Sequence, residues 1–129
     1  MPIFEKLICG QHIDVFGHMN HAKYVEIFEE ARWHLCADLL NELKKIDLAF
    51  VVVNLNIDYK CPANCQDWVT IDARLTKINN SSLVMQQTML NKQSQIVLST
   101  ISLTLALINI KTLHPQKIND SLKNILNKF

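Results

Sequence analysis

The residues most able to do chemistry lie together in His12-Ile13-Asp14-Val15-Phe16-Gly17-His18-Met19-Asn20-His21, which holds one carboxylate, three imidazoles, an amide and one of the chain's two glycines. A carboxylate can act on a carbonyl as a nucleophile or as a base on water. Gly17 permits a tight or positive-φ turn. A helix that begins just after such a turn leaves backbone N–H groups without intrahelical partners, and those donors can hold an anion or a developing oxyanion. The residues therefore permit acyl chemistry. They equally permit Asp14 to do no more than organise its turn through its side chain, with His12, His18 and His21 as plain loop histidines.

Positioning such a loop requires elements on both sides. Residues 3–9 read as a short strand ended by Gly10. From His21 to about Leu40, Tyr24, Phe28, Ala31, Leu35 and Leu39 recur at three- and four-residue spacing, broadened by Val25, Cys36 and Leu40, which predicts one long helix. Asn20 is its expected N-cap. After a polar connection around Asn41 to Asp47 the period becomes two. Ala49, Val51, Val53, Leu55, Ile57 and Tyr59 then form the apolar side of a half-buried strand that Pro62 terminates. Further strands are expected at about 67–78, 82–92 and 95–111, separated by turn-rich residues, and Pro115 is expected to open a short helix carrying Ile118, Leu122, Ile125 and Leu126. The class is α+β, with an antiparallel sheet of about five strands and one long helix. One helix covers one face of such a sheet and leaves edges to be paired, so a homodimer is expected.

Composition narrows the function. The 129 residues suit one domain, 1–129, and 13 Lys+Arg against 12 Asp+Glu give a formal net charge of +1, without the basic footprint of a nucleic-acid binder. Glu5 and Lys6 interrupt the N-terminal apolar stretch, so no signal peptide is read there. The apolar window Ile96–Ile110 is too short and too polar for a membrane span, and a cytoplasmic protein is expected. Cys61 and Cys65 lack a second ligand pair at zinc-site spacing, so the four cysteines read as reduced, partly buried thiols and no metal is expected. No Gly-x-Ser-x-Gly, phosphate-binding loop or Gly-x-Gly-x-x-Gly is present, so the usual signals for serine hydrolases, nucleotide hydrolysis and dinucleotide cofactors are missing.

His12-Ile13-Asp14-Val15-Phe16-Gly17-His18-Met19-Asn20, followed by Tyr24 and Phe28-Glu29-Glu30-Ala31-Arg32-Trp33, resembles the signature of the 4-hydroxybenzoyl-CoA thioesterase-like hotdog family. The match is densest to its FadM-type long-chain acyl-CoA thioesterase branch. The run Ala49 to Tyr59 with Pro62-Ala63 strengthens it. The resemblance implies a hotdog fold, a sheet wrapped around a long central helix, and a homodimer or homotetramer with active sites at the subunit interface. It implies hydrolysis of an acyl-CoA thioester with no cofactor. Asp14 would be the nucleophile or general base, and His21 would assist it while its backbone N–H serves as oxyanion donor.

The candidate substrate-binding residues are Phe16, Gly17, His18, Asn20, Tyr24 and Glu29. His18 and Asn20 also fit a turn-shaping role, and Tyr24 and Glu29 a packing or interface role. Lys60, Arg74 and Lys77 are candidates for CoA contact. His12 stands where many relatives carry a second acidic residue. Two rival readings accompany this one: a thioesterase acting on acyl carrier protein, and a non-catalytic hotdog that binds acyl-CoA or a partner.

Overall fold

The computed structural model describes residues 2–128. In chain order it contains β1 (Phe4–Leu7), a 3-10 turn (Gly10–His12), α1 (His21–Leu35), α2 (Ala37–Lys45), β2 (Leu48–Tyr59), β3 (Trp68–Ile71), β4 (Arg74–Ile78), β5 (Ser82–Asn91), β6 (Val97–Asn109) and α3 (Asp120–Leu126). The strands form a six-stranded sheet in the order β1-β3-β5-β6-β2, with β4 also paired to β5. An antiparallel sheet with helices is the architecture expected from the sequence.

The chain divides into two compact units. The first comprises residues 2–35, Ile57–Ala73 and Gln87–Ile101. Here β1 pairs antiparallel with β3, from Phe4↔Ile71 to Leu7↔Trp68, and β3 pairs antiparallel with β5, from Val69↔Asn91 to Ile71↔Met89. The α1 residues Tyr24, Ile27, Phe28 and Ala31 are buried, together with Ile8, Val69, Ile71, Met89 and Leu98. Each large apolar side chain removed from water stabilises the unit by roughly 1.5–3 kcal/mol. One polar residue joins this core. The fully buried Gln87 donates from Nε2 to the Phe28 carbonyl (3.2 Å) and accepts from Arg32 Nη1 (3.0 Å), which ties α1 to β5.

The second unit comprises Cys36–Asn56, Arg74–Gln86 and residues 102–128. The pairing of β4 with β5 carries a bulge between Leu75 and Lys77. Leu43, Leu83, Met85, Leu103, Leu107, Ile118, Leu122 and Leu126 form its core.

Four expectations are corrected. The long helix stops at Leu35; Cys36, with φ −107° and ψ 15°, leaves the helical backbone, and α2 restarts at Ala37 where the chain enters the second unit. The polar run 41–45 belongs to α2, because Asn41, Glu42, Lys44 and Lys45 are its solvated face around the buried Leu43. The expected strand 67–78 is split into β3 and β4, and Asp72 Oδ1 accepts the Thr88 N–H at 2.7 Å in the gap. Pro115 does not open a helix. It bridges to Ile108, and α3 starts after Asn119, whose Oδ1 accepts the Leu122 N–H at 2.8 Å.

β2 also departs from simple alternation. Val51, Val52 and Val53 are 37%, 43% and 60% exposed, so odd and even positions are equally open. The physical reason is its place at the end of the sheet order, where neither its outer flank nor those side chains are covered.

Candidate active site

The segment from Ile13 to Met19 folds as a short hairpin in the first unit. Ile13 and Met19 form an antiparallel bridge, the Asp14 N–H donates to the His18 carbonyl (2.9 Å), and the Gly17 N–H donates to the Asp14 carbonyl (3.1 Å). Asp14 Oδ1 accepts the Phe16 N–H at 2.9 Å, the local bond by which aspartate stabilises turns. Gly17 has φ +83°, a left-handed conformation in which glycine carries no Cβ penalty. Val15 and Phe16 are exposed at the tip.

The hairpin delivers the chain into α1. Asn20 caps the helix as expected: its Oδ1 accepts the Ala22 N–H (2.9 Å) and its carbonyl accepts the Lys23 N–H (2.9 Å). Its own N–H donates to the His12 carbonyl (2.8 Å). The His21 N–H, at the first helical position, has no acceptor among the described residues. It is an orphan donor of the kind that helix starts expose.

Asp14 and His21 open together into a cleft of about 320 Å³, where Tyr24, Tyr59, Lys60 and Cys61 also line the wall. An adjoining open groove of about 710 Å³ is lined by Ile13, Asp14, Val15, Phe16, Asn20 and His21, so the two share Asp14 and His21. Tyr24 and Tyr59 meet edge to face, with centroids 5.1 Å apart and planes at 87°. The Tyr59 hydroxyl donates to the His21 carbonyl at 2.9 Å, and the Tyr24 hydroxyl accepts the Ala63 N–H at 3.1 Å.

The sequence-predicted residues separate by position. Asp14, Phe16, Asn20, His21 and Tyr24 line one or both hollows, and Gly17 shapes the hairpin. His18 Nδ1 lies 3.0 Å from Asn64 Oδ1 and lines neither hollow. Glu29 is on an exposed face of α1, away from both. Lys60 is at the cleft, whereas Arg74 and Lys77 are on β4 in the second unit. His12 is buried, and its Nδ1 accepts the Cys9 N–H at 2.9 Å. Burial first, then the Lys6 and Lys23 charges, lower its pKa below the ordinary 6.5, so it stands neutral at pH 7. Among the cysteines only Cys36 is buried and Cys9 half-buried; Cys61 and Cys65 are exposed thiols, against the expectation of partial burial.

Pattern reading did not foresee the work of the segment 60–67. The Ala63 carbonyl accepts the Met19 N–H (2.9 Å), the Gln66 N–H donates to the Ile8 carbonyl (2.7 Å), and the Asn64 N–H donates to Asp67 Oδ2 (2.9 Å). The first latches the hairpin to a loop far along the chain, the second ties that loop to the residue after β1, and the third shapes the loop itself. The only available signal was the Pro62-Ala63 part of the family resemblance.

The chemistry this geometry permits is acyl transfer to a carboxylate or to water. Asp14, with one carboxylate oxygen held by the turn, and His21, whose N–H is uncommitted at the helix start, line the same cleft, an arrangement that permits attack and oxyanion stabilisation from one place.

A family model described as "Thioesterase-like superfamily" matches residues 10–126. The chain belongs to the thioesterase-like superfamily. Within this hotdog-fold family of thioester hydrolases, it is 37% identical over 108 residues to the long-chain acyl-CoA thioesterase FadM of Escherichia coli (strain K12), covering 81% of each chain. It is 26% identical over 116 residues to the acyl-CoA thioesterase YbgC of Haemophilus influenzae, covering 87% of this chain and 84% of the relative. Among solved structures, the probable thioesterase YbaW of Escherichia coli superposes with a TM-score of 0.88 at 31% identity, covering 98% of this chain and 96% of the other.

Proposed function

We propose that this protein is an acyl-CoA thioesterase that hydrolyses medium- to long-chain fatty acyl-CoA to the free acid and CoA. Asp14 is the nucleophile or the general base on water, the His21 N–H is the oxyanion donor, and the His21 imidazole assists the aspartate. The observation that carries the reading is that Asp14 and His21, whose N–H has no acceptor among the described residues, line one cleft. The long-chain preference is supported by the 37% identity to FadM. The adjoining groove, with Ile13, Val15 and Phe16, supplies apolar surface for an acyl chain, and Lys60 supplies a cation for CoA.

In this reading the chain works as a single thioesterase domain, supported by a family match that runs through both units. It acts as a homodimer or homotetramer in the cytoplasm. The exposed edge strand β2 supports self-association, since uncovered edges of sheets are normally paired or blunted. No helix among the described residues is long and apolar enough to cross a membrane.

The test compares hydrolysis of palmitoyl-CoA, a short-chain ester and an aromatic ester by the native protein and Asp14→Asn, with products separated by chromatography. Asparagine keeps an Oδ1 acceptor for the Phe16 N–H, so the hairpin survives while the carboxylate is lost. Turnover of palmitoyl-CoA is expected to fall by about 10²–10⁴-fold. Equal turnover by Asp14→Asn would overturn the assignment. Sedimentation of the same samples reports whether a dimer or tetramer is present.

A further inference from the structure

We propose that the Tyr24 hydroxyl is a catalytic hydrogen-bond donor that, with the His21 backbone N–H, shares the negative charge developing on the substrate's thioester oxygen. The inference deepens the thioesterase reading and rests on it. Tyr24 is 3% exposed and lines the cleft shared with Asp14 and His21. Its oxygen is already fixed, because it accepts the Ala63 N–H at 3.1 Å and its ring is held edge-on to Tyr59. The hydroxyl proton, in contrast, has no acceptor among the described residues. A phenol uses both its donor and its acceptor capacity when it can, and a buried donor left idle at a substrate cleft is available to a substrate carbonyl.

The remaining geometry agrees. His21 and Tyr24 are three residues apart on α1, the spacing that places residues on one helix face. Tyr59 joins the two, because its hydroxyl donates to the His21 carbonyl while its ring meets the Tyr24 ring edge to face. Burial pushes the Tyr24 phenol above its ordinary value of 10.0, against the smaller opposing effect of the Ala63 N–H. The hydroxyl therefore keeps its proton at neutral pH.

No proton transfer by Tyr24 is required. As the nucleophile's C–O bond forms, the carbonyl π pair moves onto the oxygen, where the O–H and N–H donate. As the C–S bond breaks, the pair returns and CoA leaves as the thiolate. Attacking water gives its proton to Asp14, whereas attack by Asp14 itself leaves a mixed anhydride that water then cleaves to the free acid.

The competing role is structural: an acceptor for the Ala63 N–H and nothing more. Tyr24→Phe separates the two in the full-length protein. A catalytic donor predicts a fall in kcat on palmitoyl-CoA of about 10²-fold with KM less affected. A structural acceptor predicts lower stability with kcat retained. Because the loss of the Ala63 acceptor could compromise folding, 3,5-difluorotyrosine at position 24 provides a second variant that keeps the ring and both hydrogen-bonding capacities. Its more acidic phenol is expected to move the alkaline limb of the kcat profile to lower pH.

A third readout does not depend on turnover. The ketone analogue of palmitoyl-CoA, with a methylene in place of the thioester sulfur and ¹³C at the carbonyl, is expected to show a downfield-shifted resonance on the native protein that moves back upfield in Tyr24→Phe. A kcat for Tyr24→Phe within twofold of the native value, or an unchanged alkaline limb in the fluorinated protein, would overturn the proposal. So would an identical ketone resonance in the native and Tyr24→Phe proteins. If the native protein leaves palmitoyl-CoA intact yet shifts the ketone resonance through Tyr24, the hydrolytic reading falls and the assignment of the hydroxyl as carbonyl donor stands.

Discussion

Gly17→Ala tests whether the hairpin that carries Asp14 is held by its own hydrogen bonds. A Cβ built at Gly17 meets nothing within 4 Å, so steric crowding contributes nothing. What remains is the left-handed backbone at φ +83°, which costs an L-residue about 1–2 kcal/mol. Opposing relaxation are the Asp14 N–H to His18 bond, the Gly17 N–H to Asp14 bond, and the Phe16 N–H to Asp14 Oδ1 bond. Each is worth roughly 1 kcal/mol net, and together they exceed the strain. The hairpin should therefore stay closed and the protein absorb the strain as lost stability.

Urea denaturation should show Gly17→Ala destabilised by about 1–2 kcal/mol, with kcat on palmitoyl-CoA reduced by less than about tenfold. Gly17→Asn should lose less, since asparagine tolerates the left-handed region better than alanine. Gly10→Ala is the internal control. It too meets nothing within 4 Å, but Gly10 lacks a positive φ, so its stability should change by no more than about 0.5–1 kcal/mol, in the stabilising direction if at all. If Gly17→Ala proves no less stable than Gly10→Ala, the reasoning from backbone strain is wrong.

Other perturbations probe neighbouring links. Asn20→Ala removes the acceptor for the Ala22 N–H and should destabilise the protein by about 1 kcal/mol in urea. His12 has a folded pKa below its unfolded value, chiefly through burial. Its neutral form is therefore favoured by folding: that contribution is complete above about pH 6.5 and is lost as pH falls from there toward the folded value. Native stability should consequently drop on the acid side of 6.5, and His12→Gln, which retains an acceptor for the Cys9 N–H, should drop less over the same window in denaturant titrations.

What the sequence disclosed and what it withheld follow from range. The turn at Asp14, the cap at Asn20 and the start of α1 depend on residues a few positions apart, so residue types were enough. The break at Cys36 was hidden because the apolar spacing continues through Leu39 and Leu40, while the one residue with non-helical backbone is itself apolar and buried. Polar Asn41, Glu42, Lys44 and Lys45 concealed a helix because its buried side rests on Leu43. Asp72 broke a strand through a bond to Thr88, sixteen positions away. The wall of the cleft at Tyr59, Lys60 and Cys61 came from a segment whose alternation spoke only of a strand and its end. Its meeting with His21 spans 38 positions in the Tyr59 bond.

That last separation has a kinetic consequence. The hairpin and the first turn of α1 can assemble from neighbouring residues, but the cleft exists only once Ala63 and Asn64 have closed onto Tyr24 and His18, across 39 and 46 positions. Loop closure over such distances is entropically opposed, and non-local contacts slow folding relative to local ones. During refolding, helical signal should therefore return ahead of the cleft, and competence to hold a thioester should be among the last properties the chain regains.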